Sequence, residues 1–566
     1  MKAINVVPLR SEVEIRLPDG RVLSGPRGAT VGEFLSFIGY ESLLVAAIVN
    51  NDLRELTFPI EIESNVAPVL MESPDGARIY RRSITFLLEM AFADLFPATK
   101  LFVDHSVASG GYYCQVRGRE ALSETEVAAL KTHIQELVEA DLPFEKRVIP
   151  LTEAVEYFRA RGDEDKLSLI KYRKKDYLTL YRFGERMDYL HGYMVPSTGC
   201  LRWFDLIVTQ GGFILQFPRR HKPDELLPLP QYPKLLSAFL QYGEWLNKLG
   251  IENAGALNDA IQSGRSDQIV LVSEAFHEQH ITEIARQIAD QIERSRIILI
   301  AGPSSSGKTT TSRRLAVQLL ALGISPFPLE LDHYFLPRER TPLDEDGKPD
   351  FEALEALDLP LLAENLEKLI RGEKVQLPRF NFKLGKSEAG EEVQLKRGQP
   401  IILEGIHGLN PSLIPDGARD ETFRMYVSAL TQLNLDRHNR VSTTDTRLIR
   451  RIVRDARERG YSATQTIARW ESVRRGEKRH IFPYQENADV MFNSALVYEL
   501  AALKPLAEPL LRQVQYGTAE YIEAKRLLAF LEWFLPLDVN LVPETSIVRE
   551  FLGGSVLKDF TMWKGK

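Results

Sequence analysis

Residues 296–319, RIILIAGPSSSGKTTTSRRLAVQL, decide the fold of the C-terminal half of this chain. A run of apolar, mostly β-branched residues comes first, a loop of glycine and serine follows, and a helical apolar periodicity completes the segment. Gly302, Gly307, Lys308 and Thr309 occupy the positions of the pattern GxxxxGK[ST]. Because this pattern requires a preceding strand and a following helix, and both are indicated, we predict a phosphate-binding loop between them.

The residue types in this loop suit a triphosphate. Glycines let backbone amides curl around phosphate oxygens, and the N-terminus of the helix adds its dipole. Lys308 is expected to neutralise charge on the β- and γ-phosphates, and Thr309 to ligate Mg²⁺. The predicted triphosphate site comprises Gly302, Pro303, Ser304, Ser305, Ser306, Gly307, Lys308, Thr309 and Thr310.

Two later apolar strands end in carboxylates. Asp332 follows the strand of FPLELDHYF, and Glu404 follows the apolar residues of PIILEGIHGLN. In an open α/β sheet, ligands bind at the carboxyl ends of the strands. Asp332 could therefore accept a proton from an attacking hydroxyl, or it could only cap the next turn. Glu404 could meet Mg²⁺ from the side opposite Thr309.

Residues 437–459 form an arginine-rich segment, which contains eight arginines and three acidic residues. Arg447, Arg450, Arg454 and Arg457 recur at spacings that share one face of a helix. Such a stripe suits a lid over phosphates; the alternatives are a solvated helix face or an RNA-binding patch.

The remaining sequence indicates a multidomain α/β protein. Alternating strands, a turn at Pro18-Asp19-Gly20 and a helix opening at Thr30 predict a small β-grasp unit. A second α+β unit has a helix over 81–96 and strands over 110–116 and 204–217, and a proline-rich connector follows between Pro223 and Pro233. We predict domains at 1–75, 76–222, 223–295 (linker and helical segment), 296–500 (parallel sheet) and 501–566 (helical extension).

Composition narrows the class of protein. The 566 residues, 44% hydrophobic and 26% charged, are typical of a globular protein of several domains. The net charge of -7 argues against a general nucleic-acid coat, and two cysteines fit a reducing compartment. The first residues, MKAINVVPLRSEVEIRL, lack the apolar stretch of a signal peptide, and no run long enough to cross a membrane follows. We expect a cytoplasmic protein with no membrane partner.

Residues 297–494 resemble the uridine kinase and phosphoribulokinase family, through GPSSSGKTT, LDHYF, VQLPRFNF, IILEGIHGLN and TRLIRRIVRDARERG in the family's order. The resemblance implies ATP and Mg²⁺ as cofactors, with Asp332 as catalytic base and Thr309 and Glu404 at the metal. Lys308 and Arg454 are then catalytic. The substrate-binding residues implied are Glu352, Phe380, Phe382 and Arg451.

The implied acceptor is a nucleoside, although the pattern departs from the family at two positions. Glu352, in DFEALEALD, stands where an aspartate is usual, and Gly385 replaces the histidine that follows the second aromatic residue in uridine kinases. Phe380 and Phe382 fall where those kinases place aromatic residues against the base. A kinase is thus better indicated than uridine as its acceptor.

The N-terminal part resembles threonyl-tRNA synthetase. LPDGRVLSGPRGATVGEFL and AAIVNNDLREL are similar to its TGS domain, and RRSITFLLEMAFADLFPATKLFVDHSVASGGYYCQV and YLHGYMVPSTG to its editing domain. Editing domains use three histidines and a cysteine at four positions, which here read Arg82, Phe86, Leu190 and Met194. These side chains cannot bind a metal as histidine or thiolate does, so we predict that the site is degenerate.

Two functions follow from these patterns. The first is an ATP-dependent nucleoside kinase, uridine kinase-like, that transfers the γ-phosphate to a 5′-hydroxyl. The second is a nucleotide-gated RNA-binding regulator, in which the N-terminal domains contact RNA or a small ligand through the basic segments 171–175 and 219–222. The sequence does not identify the preferred nucleoside or distinguish ATP from GTP as the phosphate donor. It also leaves open whether the protein forms an oligomer.

Overall fold

The computed structural model describes residues 10–107, 110–230, 232–344, 347, 349–381, 384–414, 421–431, 433–558 and 560. None of the helices within these ranges is both long and apolar enough to span a bilayer.

The first unit is a mixed five-stranded sheet with one helix. Its strand order, β2-β1-β5-β3-β4 with β1 and β5 parallel, is that of a β-grasp. Thr30 caps the helix and forms a capping box with Glu33, as its position in the sequence predicts. The elements are β1 (Glu12–Arg16), β2 (Val22–Pro26), α1 (Val31–Ser36), β3 (Leu44–Val49), β4 (Asp52–Glu55) and β5 (Ser64–Leu70).

The second unit is α+β, with a four-stranded sheet β11-β12-β7-β6 and a three-stranded sheet β10-β9-β8. The strand predicted over 204–217 is a hairpin, because Gly211 at φ 74° turns the chain between two strands. The elements are α2 (Pro74–Leu95), β6 (Lys100–Val107), β7 (Gly111–Arg117), α3 (Glu124–Glu139), β8 (Glu145–Pro150), α4 (Leu151–Arg161), α5 (Glu164–Ile170), β9 (Tyr177–Phe183), β10 (Arg186–Asp188), β11 (Asp205–Thr209) and β12 (Gly212–Gln216).

Three helices connect this unit to a parallel sheet: α6 (Pro233–Leu249), α7 (Ala254–Gln262) and α8 (Ser266–Gln291). The sheet has the order β14-β17-β13-β18-β19, and all its neighbouring pairs are parallel. Its elements are β13 (Ile297–Ala301), α9 (Lys308–Ala321), β14 (Phe327–Glu330), α10 (Leu359–Ile370), β17 (Ile401–Glu404), β18 (Thr422–Ser428), α11 (Thr443–Glu458), α12 (Ala463–His480) and β19 (Val490–Asn493), with a hairpin β15 (Lys374–Asn381) and β16 (Lys386–Gln394) inserted before β17.

The last helices, α13 (Glu499–Arg512), α14 (Ala519–Leu531) and α15 (Arg549–Leu552), pack against α11, α12 and one another. One hydrophobic core runs from Phe158 in α4 through Ile288 in α8 to Phe551 in α15. The helices before the sheet and those after it therefore share its core. The domain boundaries proposed from the sequence remain predictions, but these contacts show that the units at 223–295 and 501–566 bury apolar surface jointly with 296–500.

A buried ionic cluster joins the second unit to the loop that precedes α11. Lys166 Nζ lies 2.6 Å from Asp188 Oδ1 and 3.5 Å from Asp436 Oδ2, and the Lys166 side chain is 1% exposed. Although burial opposes the charge, these two carboxylates hold the pKa of Lys166 above its usual value. The ammonium group therefore links residues far apart in the sequence.

We expect Lys166→Met to lower the free energy of unfolding by about 3–5 kcal/mol, because it removes a buried cation from two buried carboxylates. The measurement is urea unfolding followed by circular dichroism. Lys175→Met is the matched control: Lys175 pairs with Glu532 but is 42% exposed, so a change below about 1 kcal/mol is expected. Equal effects of the two substitutions would contradict a structural role for the cluster.

Candidate active site

The phosphate-binding loop lies between a fully buried strand and a helix, as the sequence predicts. All five residues of β13 are buried, and α9 begins at Lys308 with Gly307 as its N-cap at φ 85°. Gly302 has no room for a side chain, because a Cβ there would lie 1.9 Å from the carbonyl oxygen of Val427. The two glycines are thus required by the close approach of β18 and by the left-handed backbone.

Several residues that carry no sequence signal hold the loop in place. Glu477 Oε1 accepts a hydrogen bond from the Ser304 amide at 3.1 Å, and Ser494 Oγ donates to the carbonyl of Ser306. Glu550 Oε2 accepts from Thr310 Oγ1 at 2.8 Å. Because each brace is far from the loop in the sequence, motif and spacing could not reveal it.

The arginines of α11 differ in their exposure to solvent. Arg447 and Arg450 are 1% and 0% exposed, so the prediction that they form a lid is wrong. Arg447 Nε donates to the carbonyl of Ser304 at 2.8 Å and pairs with Glu477, whereas Arg450 pairs with Glu499. Both guanidinium groups support the loop from within the protein.

We expect Arg450→Ala to destabilise the protein by about 3–5 kcal/mol, because Glu499 would be left buried without its partner. The comparison is Arg454→Ala on the same helix, which removes a side chain that is 11% exposed and that pairs with Asp455. Arg454→Ala should reduce turnover more than stability. Thermal unfolding and initial rates separate the two effects, and a purely catalytic defect in Arg450→Ala would contradict this assignment.

Thr309 and Glu404 meet at the carboxyl ends of neighbouring strands. Thr309 Oγ1 donates to Glu404 Oε2 at 3.1 Å, and Lys308 Nζ lies 3.9 Å from Glu404 Oε1. Burial raises the pKa of Glu404 to about 8, with Asp332 adding to the increase and Lys308 opposing it. A hydroxyl and a carboxylate beside one lysine form the hard-oxygen donor set that suits Mg²⁺.

The carboxylates expected on the acceptor side lie at the same edge of the sheet. Asp332 is exposed in the 3₁₀ turn Leu331–Tyr334, which directly follows β14. Burial raises the pKa of Glu352 to about 7, and Glu477 adds to the increase. Glu352 Oε2 is buried without a hydrogen-bond partner among the described residues. An unpaired buried carboxyl next to a phosphate loop is a candidate for binding a polar substrate group.

Two further arginines of α11 are partly exposed, and one of them, Arg451, contacts the loop. Arg451 NH1 donates to Ser304 Oγ at 2.8 Å, and its side chain is 13% exposed. Arg451 and Arg454 both contact Asp455, at 3.3 and 2.9 Å. These two guanidinium groups, unlike those of Arg447 and Arg450, retain some exposure beside the loop.

The aromatic residues predicted to contact a base are only partly described. Phe380 is 6% exposed and packs edge-on to Phe335 with ring centroids 5.8 Å apart, whereas Phe382 lies outside the described residues. Gly385 has φ 68°, and a Cβ there would lie 2.5 Å from Cδ of Arg338. The backbone at 385 therefore disfavours the histidine that uridine kinases place at this position.

Three of the four positions that correspond to editing ligands in the predicted resemblance carry buried apolar side chains. Phe86, Leu190 and Met194 are 0–4% exposed. Arg82 NH1 donates to the carbonyl of Tyr193 at 2.5 Å. These positions therefore carry three buried apolar side chains and one arginine.

The fold and this loop define a P-loop kinase domain, and comparison with known proteins specifies its family. Residues 297–501 match the model of the phosphoribulokinase / uridine kinase family. This confirms the family resemblance for that region of the chain. A solved structure described as a possible uridine kinase from Bacillus stearothermophilus is 18% identical, covering 36% of this chain and 99% of its own, with a TM-score of 0.24.

The N-terminal region matches threonine–tRNA ligases, as the sequence predicts. The Thermotoga maritima protein is 29% identical over 204 residues, which are 36% of this chain and 31% of that protein. The Teredinibacter turnerae protein is 32% identical over 202 residues, 35% of this chain and 32% of its own. The chain spans about a third of the length of these curated relatives.

Proposed function

We propose that the protein is an ATP- and Mg²⁺-dependent nucleoside kinase that transfers the γ-phosphoryl group to a 5′-hydroxyl. The observation that carries this proposal is the contact of Thr309 with Glu404 beside Lys308, with Asp332 at the same sheet edge. A protein that only bound a nucleotide would need the loop but not the carboxylates on the acceptor side. The family match over 297–501 supports the same reaction class.

In the proposed reaction, positioning and charge neutralisation supply the rate enhancement. Lys308 and the outer arginines, Arg451 and Arg454, hold phosphate oxygens. Thr309 and Glu404 would hold Mg²⁺, which supplies charge stabilisation at the β- and γ-phosphates when bound. Asp332 takes the proton of the attacking hydroxyl, and its exposure leaves it accessible to an acceptor.

Glu352 is proposed to orient the acceptor. Its buried carboxyl oxygen without a partner can accept a hydrogen bond from a sugar hydroxyl, which would satisfy a group that is otherwise costly to bury. Gly385 removes a base-reading side chain, so we expect a broader choice of base than in a uridine kinase. Phe380, with Phe382, would then contribute apolar contact to the base and not hydrogen bonding.

A panel of nucleosides with ATP and Mg²⁺ tests this function. The expected result is one ADP and one nucleoside 5′-monophosphate per acceptor consumed, with more than one base accepted. Slow ATP hydrolysis that no nucleoside stimulates would contradict it. The same panel with GTP as donor identifies the preferred purine triphosphate.

The second candidate, a nucleotide-gated RNA-binding regulator, rests on the similarity of the N-terminal region to threonine–tRNA ligases. Its basic segments are partly neutralised: Lys171 pairs with Asp259 and Arg220 with Glu471. An electrophoretic mobility assay with tRNA, with and without ATP, distinguishes this function. ATP-dependent tRNA binding without any nucleoside phosphorylation would favour it over the kinase.

A further inference from the structure

A cavity of about 550 Å³ lies outside the phosphate-binding loop, between the second unit and the kinase domain. Helix α2, the β6–β7 turn, the residues after β12 and helices α11 and α12 contribute to its wall. None of residues 302–310, all of which the structure describes, lines it. A cavity of this size is in the range of small-molecule sites.

The charge of this cavity is strongly asymmetric. Ten arginine and lysine side chains line it, against three carboxylates. Those carboxylates are already paired: Asp445 and Glu523 with Arg526, and Glu471 with Arg220. Arg78, Arg447 and Arg474 pair with Asp75 and Glu477, which lie just outside the lining. The excess positive charge is therefore carried by the lining cations that have no such partner.

Four of the lining cations form no ion pair with a carboxylate in the described part of the chain: Arg81, Arg82, Arg440 and Lys478. Arg81 Nε donates to the carbonyl of Ala77 at 2.9 Å, and Arg440 Nε to that of Asp104 at 3.3 Å. Burial lowers the pKa of Arg82 to about 10. Several cations close together in a concave, partly desolvated space raise the free energy of the protein unless an anion binds among them.

The anion that fits is multivalent. Guanidinium groups bind phosphate oxygens through paired, charge-assisted hydrogen bonds, and several converging arginines favour a chain of phosphates over a single carboxylate. The rings of Tyr112 and Phe217 also line the cavity, with Arg440 over the first at 4.7 Å and Arg81 over the second at 5.7 Å. Phosphate-binding cations thus lie next to aromatic surface.

We propose that this cavity is a second ligand site, which binds a small molecule bearing a polyphosphate chain. The ligand chemistry is shared by a nucleoside triphosphate and by inorganic polyphosphate. The concave shape favours a small molecule over an RNA strand, which would need an open groove. The site does not depend on which acceptor the kinase domain uses.

Calorimetric titration of the full-length chain tests the proposal, with CTP, inorganic tripolyphosphate and a single-stranded RNA of twelve nucleotides as probes. Lys308→Ala weakens the phosphate-binding loop, so the binding left in that variant reports on the cavity. We expect one remaining molecule of CTP or tripolyphosphate per chain. If CTP binds more tightly than tripolyphosphate, the ligand is a nucleotide. If the two bind equally, the phosphate chain alone is recognised. Either result supports the proposal.

The cavity is assigned by adding Arg81→Gln and Lys478→Gln to the Lys308→Ala chain. Neither side chain has a carboxylate partner among the described residues, so the unfolding temperature should be unchanged. The pair should weaken binding about tenfold or more, since each removes a charged hydrogen-bond donor. Lys248→Gln, an exposed lysine in α6 outside the cavity, should have no effect. No binding in Lys308→Ala, binding of RNA alone, or binding unaffected by the pair would overturn the proposal.

Discussion

Lys308→Ala is expected to reduce phosphoryl transfer about 10³-fold or more while the protein remains folded. The lysine is 9% exposed at the start of α9, and among the described residues it contacts the carbonyl of Pro303 at 3.4 Å and Glu404 at 3.9 Å. These contacts are too long to contribute much to stability. Its charge is instead available for a triphosphate, where a positioned cation stabilises charge as the phosphoryl group moves.

Initial rates of ADP and nucleoside monophosphate formation, with thermal unfolding in parallel, measure this effect. Lys396→Ala is the matched control, because Lys396 is an exposed lysine of the same domain, in the turn before β17. Turnover close to that of the unmodified protein in Lys308→Ala would refute the phosphate-loop assignment. A loss of the unfolding transition would instead show a structural role for the lysine.

Asp332→Asn is expected to lower turnover about 10²- to 10⁴-fold and to leave ATP binding intact, as for removal of a general base. The amide keeps the shape of the side chain but cannot take a proton from the attacking hydroxyl. Asp332 is exposed in the turn after β14, so the substitution should not disturb the core. The measurement is kcat at saturating nucleoside, together with the dissociation constant for ATP.

Glu330→Gln provides the control for Asp332→Asn. Glu330 is a carboxylate at the end of β14, opposite Glu404 in the strand register, and its side chain is 42% exposed. It carries no predicted catalytic role, so a small effect is expected. If Asp332→Asn abolishes ATP binding and leaves turnover at saturation unchanged, Asp332 is a metal ligand or a structural residue and not the base.

The phosphate-binding loop could be predicted from the sequence because its constraints are local. A left-handed backbone at Gly307 and the close approach of β18 to Gly302 exclude side chains. Glycine is therefore required at both positions, and their spacing can be recognised in the sequence. The periodicity of the apolar residues predicts the flanking strand and helix. The position of Asp332 and Glu404 could be predicted for a related reason, since the carboxyl ends of parallel strands meet at one edge of a sheet.

The roles of the arginines in α11 could not be predicted in this way. A helical spacing places Arg447 and Arg450 near Arg454, but it does not say which neighbours cover each of them. Glu477 and Glu499, which lie 30 and 49 residues further along the chain, bury the first two. Burial of a side chain depends on packing between distant segments. Because Arg447 and Arg450 are buried, they support the loop from inside the protein and do not form the expected lid.

The sequence by itself was enough to predict the phosphate loop and the kinase class, because both depend on residue type at a short spacing. Only the tertiary structure decided that Glu477, Ser494 and Glu550 brace the loop, and that ten cations from several elements enclose one cavity. These arrangements join segments hundreds of residues apart. Electrostatic interactions act through space, so the charge balance of a site depends on which segments the fold brings together.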